Sequence, residues 1–217
     1  MLAVVVLVAT LSAGWVTSRA GAGDSRCDRF AADSAARAAA VTGSGDDVLV
    51  IGDSYSAGLG LDDATASWPS RLPGTVHVAG FSGSGFSRSA SPCGPVSFAA
   101  RAPSALLDSA GPLVVVEGGL NDFDQTPAAI TAGFDRLMAV LGGHDVVVVG
   151  PVSAPARAGR VPAVDALLAR LSASYGVAYV STTGLDLPYL DDRLHLTPAG
   201  HETFGDYVAE RIAAAAP

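Results

Sequence analysis

The sequence predicts a doubly wound α/β domain, in which helices cover both faces of a parallel sheet. Two observations carry that expectation. Five short runs rich in Val, Leu and Ile recur along the 217-residue chain, each ending in Gly or a small polar residue, and helical patterns fill the intervals between them. Most of these runs are continuously apolar rather than alternating, which suits strands buried on both faces.

The chain opens on an apolar run, Leu2 to Val16, followed by the small residues Ala20-Gly21-Ala22 of an A-x-A cleavage pattern. Residues 1–22 therefore read as a signal peptide or an N-terminal membrane anchor. The run is shorter than the roughly 20 apolar residues of a spanning helix, and no Lys or Arg precedes it, so both alternatives stay open. Residues 23–46 hold an expected helix, Asp28 to Ala40, and a polar hinge that runs from Thr42 to Asp47. Residues 47–217 make the main domain. Its strands are expected at "DVLVIG" ending at Gly52, "TVHVAG" ending at Gly80, "LVVVEGG" ending at Gly119, "DVVVVG" ending at Gly150 and "GVAYVS" ending at Ser181. Helices are expected over Ser67–Leu72, Ser97–Ser109, Pro127–Leu141, Val161–Tyr175 and Pro198–Ala215. The last has Thr197 as its cap and Pro198 in the first turn, where a missing N–H is harmless. The sum is a flavodoxin-like three-layer α/β/α sandwich with a five-stranded parallel sheet.

Composition narrows the function. The net charge is −8, and the 13 basic residues are all Arg and scattered, which excludes the gathered cationic face that nucleic acid requires. The two cysteines, Cys27 and Cys93, fit no metal-ligand spacing and form no CxxC motif. In the oxidising compartment implied by an export segment they are expected to pair, closing a long loop worth about 4 kcal/mol in the chain-entropy model. No metal or organic cofactor is expected, and the domain reads as a monomer, with membrane attachment possible only through its N-terminal segment.

In an open α/β sheet, ligands bind beyond the carboxyl ends of the strands. Gly52-Asp53-Ser54 follows the first strand, Gly83 and Gly85 follow the second, Asn121 and Asp122 follow the third, and Asp192 and His195 follow the fifth. Each cluster alone has a plain structural reading: Ser54 a helix cap, Gly83 a tight turn, Asn121 a turn residue, His195 a surface side chain. Together they supply what acyl transfer by serine needs. Ser54 offers the hydroxyl, His195 the base, and Asp192 the carboxylate that orients the base and stabilises its cation. The amides of Ser54 and Gly83 and the side chain of Asn121 offer oxyanion donors, worth about 3 kcal/mol each.

These residues, in this order and strand context, resemble the SGNH hydrolase superfamily, also called GDSL esterases and lipases, named for a Ser, Gly, Asn and His in four separate blocks. "GDSYSAGLG" carries the first with Ser54, Gly83 of "FSGSG" matches the second with Gly85 as the alternative, Gly119-Leu120-Asn121-Asp122 meets GxND, and Asp192 with His195 meets DxxH. The resemblance runs from about Asp47 to the C terminus, making 47–217 an SGNH hydrolase domain. It departs in two places. No Asn opens the second block ahead of Gly83, and Asp191 stands beside Asp192, although only Asp192 keeps the DxxH spacing. Rival motifs fail: "GDSYS" lacks the second glycine of a G-x-S-x-G elbow, and no GK[ST] or complete dinucleotide fingerprint is present.

The resemblance implies an exported serine esterase that hydrolyses acyl or acetyl esters of lipid, glycan or small alcohols through an acyl-enzyme. Two alternatives stand beside it: an acyltransferase using the same acyl-enzyme, and a catalytically idle envelope module that binds carbohydrate. The remaining titratable residues read as structural, namely His77 within a strand, His144 at the wrong end of one, His201 on the last helix and Glu117 as a hydrogen-bonded carboxyl. Phe81, Phe86 and Phe98, with Trp68, are placed either to wall an acyl pocket or to pack beneath the sheet.

Overall fold

The computed structural model describes residues 25–109 and 111–215. The expected signal peptide or anchor, residues 1–22, lies outside the described residues. Helix α1 spans residues 25–39. The strands are β1 Thr42–Ser44, β2 Asp47–Gly52, β3 Gly74–Gly80, β4 Leu113–Glu117, β5 Asp145–Val149 and β6 Ala178–Val180. The later helices are α2 Ser54–Ala57, α3 Phe98–Ala105, α4 Pro127–Val140, α5 Val161–Tyr175 and α6 Pro198–Ala215.

The six strands lie in the order β1-β3-β2-β4-β5-β6, and every neighbouring pair is parallel except β1 with β3. Leaving β1 aside, the order is that of a flavodoxin-like, doubly wound sheet with β2 at the switch point between β3 and β4. All five expected strands are present. The sixth corrects the strand count: part of the segment read as a hinge pairs as β1, with Thr42 opposite Val76 and Ser44 opposite Gly74. A three-residue polar strand at an edge has no apolar run to announce it. It covers the outer rim of β3, which would otherwise present unpaired backbone groups.

Successive strand residues enter different cores, as a two-residue repeat requires. Val48 and Val50 of β2 join Val115, Val147, Val149, Trp68, Phe204 and Val208 on one face. Leu49 and Ile51 join Val114, Val116, Val148, Phe98, Phe134 and Leu168 on the other. The first face is closed by α6 and the 3-10 turn Trp68–Arg71, the second by α3, α4 and α5. The apolar continuity of the strands thus reflects two cores rather than one.

Helix α1 is attached differently. Arg37 is buried, its Nε donates to Ser67 Oγ at 3.1 Å, and one terminal nitrogen donates to the Ala40 carbonyl at 2.6 Å. Burial lowers its guanidinium to about 10, against an opposing pull from Asp63, so it stays charged at neutral pH. Near the other end, Cys27 is disulfide-bonded to Cys93, with the Cα atoms 5.3 Å apart. The bond closes a separation of 66 residues, and its loss is expected to cost about 4 kcal/mol of stability in the chain-entropy model. Calorimetry of Cys27→Ser/Cys93→Ser should therefore show a melting temperature lowered by about 10 °C, whereas an unchanged transition would mean that the bridge constrains nothing the fold does not already hold.

Candidate active site

The first block sits where β2 ends. Gly52 admits no side chain, since a β carbon there would lie 2.0 Å from Ser56 Oγ and 2.8 Å from Glu117 Oε2. Asp53 then caps α2, its Oδ1 accepting the Tyr55 N–H at 2.9 Å. The capping role belongs to Asp53, which leaves the Ser54 hydroxyl out of that duty. Ser54 starts the short helix and is 6% exposed.

His195 is held in a tightly bonded turn. Its Nδ1 lies 2.5 Å from Asp192 Oδ2, while Asp192 Oδ1 accepts the backbone N–H groups of Leu194 and His195, each at 2.9 Å. Asp192, with the DxxH spacing, is therefore the residue paired with His195. Partial burial works against ionisation of Asp192, but the His195 ring and the two amides outweigh it and hold the carboxyl below its usual range. Between them Arg193 takes φ 57°, the one positive φ of a non-glycine among the described residues, a costly conformation that marks a turn over-determined by its neighbours. Those neighbours are visible: Leu190 N–H donates to His195 O at 2.8 Å, Ala156 N–H to Arg193 O at 3.0 Å, and the Tyr55 hydroxyl to Leu194 O at 2.5 Å.

The third block reaches the first through Asn121. Its Nδ2 donates to Ser84 O at 2.8 Å and to Asp53 Oδ2 at 3.2 Å, and its Oδ1 accepts from Arg157 at 2.8 Å. Arg157 also donates to Leu120 O at 2.7 Å and stacks on Phe123, 4.4 Å from the ring centroid. Both faces of the amide are thus fixed. The neighbouring Asp122 turns away from the site and accepts the N–H groups of Phe86 and Ser87 at 2.9 and 2.8 Å. Burial raises it to about 7.

Ser54, Gly83, Asn121 and His195 line one open cavity of about 300 Å³, together with Arg157, Phe30 and the edge of loop 90–93. Gly83 adopts φ 82°, a left-handed conformation that suits glycine, and its place in the lining distinguishes it from Gly85, which packs on the Asp122 carboxylate and accepts the Phe98 N–H. The aromatic residues suggested as walls do not line it. Phe86 and Phe98 are fully buried and pack edge-to-face at 4.9 Å beneath the sheet, Trp68 is in the opposite core, and Phe81 lines a separate groove against α1. Large rings gain more from burial than from an exposed rim, even on a polar, glycine-rich segment.

Beneath Ser54 lie two buried carboxyls. Glu117 accepts from Ser56 Oγ at 2.7 Å, that hydroxyl oxygen in turn accepts the Trp68 indole N–H at 3.1 Å, and the Asp53 amide also favours the carboxylate. Burial and the nearby Asp53 carboxylate push Glu117 well above the usual range, and a buried carboxyl bonded to Ser56 and outside the cavity lining is a structural one. Asp53 is also raised by burial, against the Tyr55 amide and the charges of Arg157, His195 and Arg101. The other histidines have local partners: His77 Nε2 lies 3.3 Å from Asp47 Oδ1, His144 Nδ1 lies 3.3 Å from Leu141 O, and His201 Nδ1 accepts the Trp68 N–H at 3.3 Å.

A serine-bearing cavity at the carboxyl edge of a flavodoxin-like sheet is the arrangement that the SGNH resemblance implies. The model of the GDSL-like lipase/acylhydrolase family matches residues 50–203, most of the chain, and the chain belongs to that family and is an esterase by class. No protein of curated function matches it significantly in sequence. Solved structures share the fold. The native aryl esterase of M. smegmatis superposes with a TM-score of 0.61 at 21% identity, covering 78% of this chain and 99% of its own. Est24, a carbohydrate acetylesterase from Sinorhizobium meliloti, gives 0.61 at 23% identity over 78% and 99% of the two chains. A carbohydrate acetylesterase family member from the same organism gives 0.65 at 18% identity over 78% and 98%.

Three contributors to the cavity, Arg157, Arg26 and Phe30, escape the sequence reading. Arg157 follows the fourth of the five expected strands, the one strand end not searched for chemistry, and the rule that located the others would have reached it. Arg26 and Phe30 lie on α1, where they flank Cys27 at helical spacing. The expected cysteine pair, followed through, would have brought that face to the loop bearing Gly83.

His201 supplies a stability prediction. Burial pushes its ring down to about 4 from the ordinary 6.5, and the charge of His195 acts in the same direction. Between those values the unfolded chain binds a proton that the folded chain refuses. The associated stability is complete above the unfolded pKa and is lost as pH falls towards the folded one, on the order of 3 kcal/mol over the interval. In His201→Asn, which keeps an acceptor for Trp68 but cannot titrate, denaturant melts from about pH 7 to about pH 4 should show the wild type losing that much relative to the variant. Parallel curves would dismiss the contribution.

Proposed function

We propose that the protein is an exported serine esterase in which Ser54 attacks the carbonyl of a carboxylic ester. The observation that carries this reading is the 2.5 Å pairing of His195 Nδ1 with Asp192 beside a cavity that Ser54 also lines. With Nδ1 engaged, His195 Nε2 is left for the serine proton. As Ser54 Oγ bonds to the carbonyl carbon, His195 accepts that proton and Asp192 stabilises the resulting cation. The oxyanion sits against the amides of Ser54 and Gly83, and takes up the Asn121 N–H now directed at Asp53 through the longer of its two bonds. His195 then protonates the leaving alcohol oxygen as its bond to the acyl carbon breaks. Water attacks the acyl-enzyme, giving a proton to His195, and the acid leaves as Ser54 regains its own.

Export is supported by the apolar N-terminal run and by the disulfide, which suits an oxidising compartment. Among the described residues no helix is long and apolar enough to cross a membrane. The acyl esters of sugars and small alcohols fit a cavity at the low end of the usual range for ligand sites.

The test is hydrolysis of p-nitrophenyl esters from acetyl to octanoyl by wild type, Ser54→Ala, Asp192→Asn and Asp191→Asn. Ser54→Ala should lose at least about a thousandfold in kcat/KM with its melting temperature kept. Near-normal turnover in that variant would end the assignment. Asp192→Asn should lose at least about a hundredfold, with Asp191→Asn within about threefold of wild type, and the reverse ranking would exchange the two aspartates.

A further inference from the structure

The family match begins at residue 50, yet α1, which precedes it, supplies part of the cavity's lining through Arg26 and Phe30. Residues three and four apart on a helix share a face, so Arg26, Cys27 and Phe30 form one edge. Cys27 is bonded to Cys93 of the loop that follows Gly83. The Phe30 ring meets Phe81 edge-on with centroids 6.4 Å apart, and a β carbon placed on Gly83 would lie 3.9 Å from Phe30 Cε2. Two turns further along, Arg37 anchors the helix to Ser67. The ring is therefore fixed beside the oxyanion position.

We propose that α1 is the specificity wall of this site: Phe30, held by the Cys27–Cys93 bond, closes the acyl side of the cavity and restricts the substrate to short acyl groups. The inference rests on the esterase reading above. In the tetrahedral adduct the leaving oxygen must face His195, which protonates it, so the alcohol lies towards His195 and Leu194. The oxyanion faces Gly83 and Asn121. The acyl substituent takes the remaining direction, across the part of the cavity lined by Phe30, Arg26 and loop 90–93. There a two-carbon acyl group fits against Phe30, whereas a longer chain must displace the ring or turn into water and forgo the gain of burying each added methylene.

The deciding measurement is the ratio of kcat/KM for p-nitrophenyl octanoate to that for the acetate, in wild type, Phe30→Ala and Cys27→Ser. The ratio should rise at least about tenfold in Phe30→Ala, and Cys27→Ser, which keeps the ring but frees its tether, should shift it in the same direction. A second arm reads binding without turnover, by calorimetry of the octanoyl ester with Ser54→Ala and with Ser54→Ala/Phe30→Ala. Tighter binding by the double variant is expected. Ratios unchanged in both folded single variants, or octanoyl binding no tighter in the double variant, would overturn the wall. If wild type hydrolyses no ester of the series, the esterase reading falls, and the binding arm alone decides whether Phe30 limits the cavity.

Discussion

The geometry of the site depends on one buried carboxyl, Asp53. It has no exposed surface, caps α2 through the Tyr55 amide, receives Asn121 Nδ2, and offers its own N–H to Glu117. The register of the sheet explains why a single group can do this. Ile51 of β2 lies opposite Val116 of β4, so the chain leaves both strands at the same level and the turns after them must be reconciled within a few ångströms. A carboxylate with several acceptor positions can bond donors from both turns at once. Arg157 and Arg101 supply the positive field that lets a group so deeply buried hold those bonds. An apolar residue there would leave the Tyr55 and Asn121 donors unsatisfied, which is costlier than losing the bonds themselves.

Arg101 plays the corresponding part for the second block. It is rooted in α3, and its guanidinium donates to the carbonyls of Gly52, Ala79 and Val96 and to Ser84 Oγ. Those partners belong to the ends of β2 and β3 and to both limbs of the long segment Ser82–Ser97. Burial lowers this Arg to about 10, still far enough above neutrality to leave it charged and its donors intact. A segment with almost no secondary structure of its own is thereby given a fixed path, and Gly83 is presented at a defined place. Asp122 completes the support from the other side by receiving the amides of Phe86 and Ser87.

These two networks also mark the boundary of what the sequence makes legible. Strands such as Val146–Val149 announce themselves because burial on both faces demands uninterrupted apolar residues, and the limits of α5 agree with its pattern from Val161 to Tyr175. The candidate site residues fall at strand ends, where topology gathers them, so position alone suggested their convergence. The identities of their supports follow no period. Nothing in the spacing says that Arg101 reaches Gly52, or that Arg157 fixes Asn121, because long side chains choose partners in three dimensions. The same reason hid β1, whose pairing is set by the edge of β3 rather than by its own composition, and left the aromatic residues of the loop poised between core and rim until packing resolved them.

The attachment of α1 follows a different physical logic. Its residues are exposed except for a narrow stripe at Cys27, Phe30, Ser34 and Arg37, spaced three and four apart. A stripe that narrow, composed of one ring, a small hydroxyl and a cation, buries too little apolar surface to hold a helix by the hydrophobic effect alone. Point attachments take its place: a covalent bond near one end, a buried guanidinium near the other, and Phe30 against Phe81 between them. Such a helix is fixed in position without being fused to either core. The sheet and its buried carboxyls can therefore set the geometry of Ser54, Asn121 and His195, while the surface facing them on α1 can change residue by residue at small cost to the fold.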